Sequence, residues 1–261
     1  MNKVRRAWNY IYVRVRFWFI NPPLIIRNLP ILTLSLFATI VLSILIVAAY
    51  FINRKRWDME RKGNFMWYIA HQYWSPLIFD IARIKVAIKG SENINWNRPH
   101  IIAPNHTSVL DHVLLAYVIP HGGRFVLKRE IFKFWFVGSV LKRAGQVAID
   151  RGKPGESKNI LEGIEKWGNC NLIIYPEGTR SRDGKLGLFR RGAAFAAVRT
   201  GFEIIPVAIK GGYEALPPGP LLGLKMRSEI EVLFGEGISP DNKNVEDLTD
   251  IIRREIVRRL E

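Results

Sequence analysis

Residues 30–52 run for 23 positions without a charged side chain. As a helix this stretch would be about 34 Å long, against a hydrocarbon core of about 30 Å. A segment this apolar is either buried on every side or placed in a bilayer, and that choice limits the fold more than any other feature of the chain. The stretch is too long for the apolar part of a signal peptide, and no small-residue cleavage site follows it. It is read as a membrane-embedded helix. Its orientation stays open, because Lys3, Arg5, Arg6, Arg14, Arg16 and Arg27 precede it and Arg54, Lys55, Arg56, Arg61 and Lys62 follow it. A second apolar segment, 65–84, is interrupted by His71, Pro76 and Asp80. The two segments fit a hairpin that dips into one leaflet with both ends on the cytoplasmic side; a single crossing is the alternative. Trp57, Trp67, Tyr68, Tyr73 and Trp74 suit an interfacial belt. Residues 1–83 are therefore expected to anchor the chain in the cell membrane, and residues 84–261 to form a domain facing the cytoplasm.

The formal net charge of +16 implies an anionic partner: nucleic acid, anionic lipid or a phosphorylated substrate. Nucleic acid is not expected beside a membrane anchor. The single cysteine, Cys170, rules out an intramolecular disulfide, and its place at the start of an apolar run makes it structural.

From residue 84 onward, short apolar runs alternate with helical patterns. Strands are predicted at 84–89, 101–103, 124–127, 146–149, 172–175, 204–209 and 230–234, and helices at 108–118, 131–143, 157–167, 192–199 and 245–260. The last helix carries Val245, Leu248, Ile252, Ile256 and Leu260 on one stripe. This alternation predicts an α/β fold: a mixed, largely parallel sheet of about seven strands flanked by helices, following the N-terminal membrane-embedded helical segment.

Four strand ends carry residues with chemistry. His106 and Asp111 follow the second predicted strand. Five residues apart within one helix, they would point about 140° from each other. They can pair only if His106 lies in the loop and Asp111 in the first helical turn, an arrangement that would leave one imidazole nitrogen as a general base. Alternatively, Ser108 and Asp111 form a capping box and the carboxylate only closes the helix. Glu177, Gly178, Thr179 and Arg180 end another strand. Gly178 allows a sharp turn, and exposed amides with Arg180 would cradle an anion. The other reading is a basic turn ion-paired to Glu177. Arg182, Lys185, Arg190 and Arg191 follow, the last two near a helix start. Arg151 is either a second phosphate ligand or the partner of Asp150. Lys128 is either an oxyanion stabiliser or a solvated surface residue.

The His106-x4-Asp111 pair, Lys128-x-Glu130-x-Phe132 leading to Ile149-Asp150-Arg151, Glu177-Gly178-Thr179-Arg180 with Phe189-Arg190-Arg191-Gly192, and Ile205-Pro206-Val207 resemble, in order and spacing, the four motif blocks of the glycerophospholipid acyltransferases, the bacterial 1-acyl-sn-glycerol-3-phosphate acyltransferases in particular. The resemblance covers about residues 84–234. Thr107 and Ala148 depart from it, standing where the family more often has a polar amide and a bulky apolar residue. The resemblance implies that His106 takes the proton of an acceptor hydroxyl, oriented by Asp111, and that the hydroxyl attacks an acyl thioester directly. It implies that Glu177, Gly178, Thr179 and Arg180 bind the glycerol phosphate with help from Arg151, and that Lys128 steadies the oxyanion. The expected partners are membrane lipids, a lysophosphatidate acceptor and acyl-CoA or acyl carrier protein as donor, with no cofactor, no metal and no nucleic acid.

Other enzyme classes fit less well. His106, Asp111 and His112 cluster, but their spacing matches no common zinc motif, and neither a Gly-x-Ser-x-Gly elbow nor a phosphate-binding Gly-x4-Gly-Lys-Ser/Thr loop occurs. A membrane-anchored module that binds anionic lipid without catalysis would explain the charge and the anchor but not the His–Asp pair.

Overall fold

The computed structural model describes residues 65–120, 122–150, 160–163, 170–219 and 223–261, with scattered helical positions between 29 and 44. Most of the 30–52 stretch, its basic flanks and Arg151 lie outside the described residues. Among the described residues no helix is long and apolar enough to cross a membrane.

Seven strands form one sheet: β1 (Lys85–Lys89), β2 (Ile101–Pro104), β3 (Gly123–Lys128), β4 (Val147–Ile149), β5 (Asn171–Ile173), β6 (Ile204–Lys210) and β7 (Glu229–Phe234). Their order is β1-β7-β6-β2-β5-β3-β4, and β6–β7 is the one antiparallel neighbour pair. The central strands β2, β5 and β6 are near-continuous apolar runs, as strands covered on both faces must be. At the edge, β1 is mostly exposed; Lys85 pairs with Glu229 and Lys89 with Glu231 across to β7. Charge on an edge strand discourages pairing with another chain.

Helices cover both faces. On one face lie α1 (Ser75–Ala82) and α2 (Leu110–Val118), packed on Ile102, Ile173, Ile205, Val207 and Val232. On the other lie α4 (Gly192–Thr200) and α6 (Val245–Leu260), packed on Ile101, Leu172, Ile204 and Ala208. Between them in sequence come α3 (Trp135–Arg143) and the short α5 (Gly212–Ala215). Ala193, Ala194, Ala196 and Ala197 let α4 approach the sheet closely, and α6 buries Leu248, Ile252 and Ile256 as its stripe predicts. Asn244 caps α6 by accepting from the Asp247 amide at 2.8 Å.

The segment read as the second arm of a membrane hairpin is helical from 65 to 82, with His71, Pro76 and Asp80 inside the helix. A proline ring clashes with the carbonyl four residues back in a straight α-helix. Here a π-helical turn, Ala70–Trp74, widens the helix just before α1 and accommodates it. One side of this helix is fastened to the domain. The Trp67 indole donates to the Ile119 carbonyl at 2.9 Å, His71 Nδ1 donates to the Ala116 carbonyl at 3.1 Å, and Phe79 packs on Tyr117. Tyr68, Tyr73 and Leu77 remain exposed on its other side.

The connections place the site. β2 and β5 are neighbours, but the chain leaves β2 through α2 toward β3, while it leaves β5 through α4 toward β6, on the opposite face. Such a reversal opens a crevice at the carboxyl ends of the two strands, where open α/β sheets take their ligands. His106 follows β2 and Glu177 follows β5.

Candidate active site

His106 lies in the loop after β2 and Asp111 in the first turn of α2, the placement that pairing required. Asp111 Oδ2 accepts from His106 Nδ1 at 2.8 Å, from the Thr107 amide at 2.8 Å and from the Ser108 amide at 2.9 Å. The two readings of Asp111 therefore hold together: one oxygen closes the start of the helix and orients the imidazole. A carboxylate only accepts, so Nδ1 carries the proton and the lone pair stands at Nε2. Asp111 is fully buried and His106 nearly so. Burial of this kind strengthens the attraction between the carboxylate and an imidazolium formed by proton uptake.

The loop around this pair is laced to its neighbours. The Asn105 side chain spans to β6, accepting from the Ile209 amide at 2.7 Å and donating to the Ile209 carbonyl at 3.1 Å, as another strand residue would. Ser108 Oγ donates to the Leu216 carbonyl at 2.8 Å and accepts from the Leu110 amide at 3.1 Å. Neither role was legible in the sequence, where Ser108 reads only as half of a capping box. Gly212 closes the floor, since a Cβ there would lie 3.1 Å from both Asp111 Oδ1 and Thr107 Oγ1.

Glu177, expected among the phosphate ligands, turns its carboxylate inward. Oε1 accepts from the His106 amide and Oε2 from the Gly187 amide, each at 2.8 Å. The Ser181 amide donates back to the His106 carbonyl at 2.8 Å, so the loops after β2 and β5 are joined on both sides of His106. Burial raises the Glu177 pKa, and the two amide hydrogen bonds only partly offset that.

The remainder of that turn faces outward. Gly178 has φ 67°, and a Cβ on it would come within 3.0 Å of Arg190 Cδ and Nε, so glycine suits the turn by its positive φ, and a side chain there would make Arg190 shift. Thr179 is exposed and Arg180 half-buried. Among the described residues Arg180, Arg182 and Arg190 form no ion pair, so the basic turn is not neutralised by Glu177; Arg191 instead reaches Glu246 at 2.7 Å. Lys128 is exposed at the end of β3, with β5 standing between it and β2, and Arg129 rather than a residue of the turn holds Asp150, at 2.6 Å. A solvated ammonium in that position is a weak oxyanion stabiliser.

Aromatic rings back the pair. Tyr175 stacks on His106 with centroids 3.9 Å apart, and His112 stands edge-on to His106 at 5.2 Å. The Tyr175 hydroxyl is buried without a hydrogen-bond partner among the described residues, and burial pushes its pKa well up. A buried hydroxyl without a partner costs about 1–3 kcal/mol. Tyr175→Phe should therefore keep the stacked ring, leave turnover within about two-fold and raise the unfolding free energy by about 1 kcal/mol in denaturant titration. Tyr175→Leu, which removes the ring face, should lower turnover.

Beside His112 opens a cavity of about 420 Å³, lined by Trp67, Ala116, Phe125, Val137 and Leu141 among other mostly apolar side chains. The oriented imidazole and the basic turn stand at the carboxyl ends of β2 and β5, and the apolar cavity borders the imidazole through His112. Among the described residues no three His, Cys, Asp or Glu side chains are grouped to hold a metal ion.

The chain is thus a doubly wound α/β sheet that carries a carboxylate-oriented histidine at its switch point. Comparison with known proteins agrees. The family profile described as Acyltransferase matches residues 85–210. The 1-acyl-sn-glycerol-3-phosphate acyltransferase of Limnanthes douglasii is 30% identical over 199 residues, covering 74% of this chain and 67% of that protein. The protein of that name from Borreliella burgdorferi is 29% identical over 188 residues, covering 69% and 74%. The crystal structure of the 1-acyl-sn-glycerophosphate acyltransferase PlsC from Thermotoga maritima superposes with a TM-score of 0.77 at 25% identity, over 90% of this chain and 95% of that one. Against the relatives from Cocos nucifera and Arabidopsis thaliana, the chain spans about three fifths of their length, 62% and 57%. The chain belongs to the acyltransferase family.

Proposed function

We propose that the protein transfers a fatty acyl group from a thioester, acyl-CoA or acyl carrier protein, to the sn-2 hydroxyl of 1-acyl-glycerol-3-phosphate, giving phosphatidic acid. The observation that carries this reading is the 2.8 Å contact between His106 Nδ1 and Asp111 Oδ2, which leaves Nε2 basic at the switch-point crevice. Nε2 takes the acceptor hydroxyl proton as its oxygen attacks the thioester carbonyl carbon. The tetrahedral oxyanion then collapses, the carbon–sulfur bond breaks, and the leaving sulfur takes the proton from the imidazolium. Asp111 stabilises that imidazolium throughout. No covalent acyl-enzyme is needed.

The apolar cavity supports a place for an acyl chain, because it borders His112, which touches the His106 ring. The acceptor phosphate fits the Gly178–Arg180 turn, where Arg180, Arg182 and Arg190 have no carboxylate partner among the described residues. Glu177 acts there as a brace between loops rather than as a phosphate ligand, since both its oxygens are occupied by amides and its charge would repel the phosphate. The acceptor is an amphiphile, so this edge of the sheet works against a membrane leaflet, on the cytoplasmic side where thioester donors are made available.

The test is a matrix of acceptors and donors presented to the purified full chain, with products identified by mass. Formation of phosphatidic acid from lysophosphatidate supports the reading; exclusive acylation of another lyso-lipid, or no thioester-dependent product at all, overturns it. Arg180 gives a sharper check. A bidentate guanidinium cannot be replaced by a point charge without loss. Arg180→Lys should raise the apparent KM for lysophosphatidate by about ten-fold or more while kcat changes less, corresponding to roughly 1.4 kcal/mol of lost charge-assisted bonding. An equal effect on an acceptor without the phosphate would assign the residue another role.

A further inference from the structure

The start of α3 carries the most exposed aromatic of the described residues. Trp135 is 91% exposed and the adjacent Phe134 67%, with Val137 at 47% one half-turn further on. The indole and phenyl rings at adjacent positions form an apolar tip without a partner among the described residues. The chain around this tip is basic. Between residues 128 and 143 stand Lys128, Arg129, Lys133, Lys142 and Arg143 against the single acid Glu130. Lys128, Lys133 and Lys142 are exposed.

The helix also belongs to the apolar cavity. Val137, Val140 and Leu141 line it from α3, while Trp67, Ala70 and Trp74 line it from the 65–82 helix. That second wall carries its own exposed rings, with Tyr73 next to Trp74 and Tyr68 next to Trp67, the two tyrosines edge-on at 6.2 Å. Exposed aromatics thus flank the cavity on both of its helical walls. Tryptophan and tyrosine prefer the boundary between headgroups and acyl chains, and lysines around them favour an anionic surface.

We propose that the tip of α3 is a lipid-docking element that inserts Phe134 and Trp135 into the headgroup boundary of an anionic leaflet, held there by Lys128, Lys133 and Lys142, so that the cavity opens into the bilayer. It is a contact made by α3 of the folded α/β domain, next to a cavity that Thr39 also lines and where the Trp74 indole donates to Thr39 Oγ1 at 2.9 Å. The surface fits a bilayer better than a protein partner because it is a small apolar tip with a diffuse basic rim, not a shaped groove. The inference does not depend on the identity of the reaction.

The full chain, with Cys170→Ser and Trp135→Cys, is labelled with an environment-sensitive fluorophore and bound to phosphatidylcholine vesicles with or without phosphatidylglycerol. Lipids carrying a quencher at a shallow or a deep position on the acyl chain report depth. Asp250→Cys, exposed on α6 over the opposite face of the sheet, is the reference position. The expected result is a blue shift and quenching at 135 that is strongest with the shallow quencher and larger with phosphatidylglycerol, with neither at 250. Lys133→Glu with Lys142→Glu should abolish the gain from phosphatidylglycerol. A probe at 135 that stays aqueous while the protein is bound to vesicles overturns the proposal. So does fluorophore self-quenching between protein copies without lipid quenching, which would make the tip a protein–protein contact. Because the readout is depth and not turnover, failure here leaves the acyl-transfer reading standing, and an inactive protein leaves this test intact.

Discussion

His106→Ala should lower turnover by about 10²–10⁴, the range expected for loss of a positioned general base, while the apparent affinity for the acceptor changes little. The reason is that His106 supplies the only step in the proposed mechanism at which a proton leaves the attacking oxygen, and its Nδ1 is already committed to Asp111 at 2.8 Å. Asp111→Asn should cause a loss of similar size for a different reason. The asparagine carbonyl oxygen can still accept from the Thr107 and Ser108 amides and from Nδ1. The helix start is therefore kept, with the unfolding free energy changed by no more than about 2 kcal/mol, but the buried negative charge that stabilises the imidazolium is gone. Asp111→Ala removes three acceptances at once and should cost both stability and turnover. Comparing the two variants separates the structural role from the chemical one. Near-wild-type turnover in His106→Ala would dismiss the mechanism.

Glu177→Gln should be the second most damaging conservative change at this edge. A carboxylate can accept from both the His106 and Gly187 amides, but a carboxamide offers one acceptor and one donor, so one buried N–H would face another. An unsatisfied buried donor costs about 1–3 kcal/mol. Because one of the two amides belongs to His106 itself, the base should shift with the loop, and turnover should fall by about ten-fold or more even with lysophosphatidate at saturation. A phosphate ligand would instead raise KM first, so the split between kcat and KM tests the reassignment of Glu177. The variant should also change the pH dependence of stability. Burial holds the Glu177 pKa above its ordinary value, so the folded state binds this proton more readily than the unfolded one. That contribution to stability is fully present below the ordinary glutamate pKa and is lost as pH rises through the raised folded value. The difference in unfolding free energy between Glu177→Gln and the parent chain should therefore carry a slope across that mildly acidic window and be flat outside it.

Several features were legible in the residues alone. The seven strands, the two-faced helical cover and the stripe of α6 follow from hydrophobic periodicity, because parallel strands must be apolar throughout and surface helices along one stripe. The place of His106 and of the basic turn at Gly178–Arg180 at strand ends could be read from the apolar runs that precede them. What periodicity cannot carry is the order of strands in the sheet. That order alone makes β2 and β5 neighbours with opposite exits, and so brings a loop at 106 against a loop at 177. Contacts across such separations are set by topology and packing, not by local propensity.

The remaining decisions are tertiary for the same reason. Whether Asp111 capped a helix or oriented a histidine depended on where the helix began, and the answer, that one oxygen does both, needed the three distances. Glu177 looked like a ligand beside its glycine and arginine because local sequence shows charge but not direction. Only the approach of the His106 and Gly187 amides turned it inward. Asn105 and Ser108 have no signature beyond a polar turn, since their partners Ile209 and Leu216 lie far along the chain. Segment 65–84 reads as an apolar run interrupted by His71, Pro76 and Asp80; the π turn just before Pro76 belongs to a helix held by Trp67 and His71 against α2 and the residue after it, contacts that the run itself does not specify. Sequence thus determined which groups the chain has available and which elements carry them; tertiary structure decided which of those groups meet, because a hydrogen bond is fixed by the position of both partners and the sequence specifies only their identities.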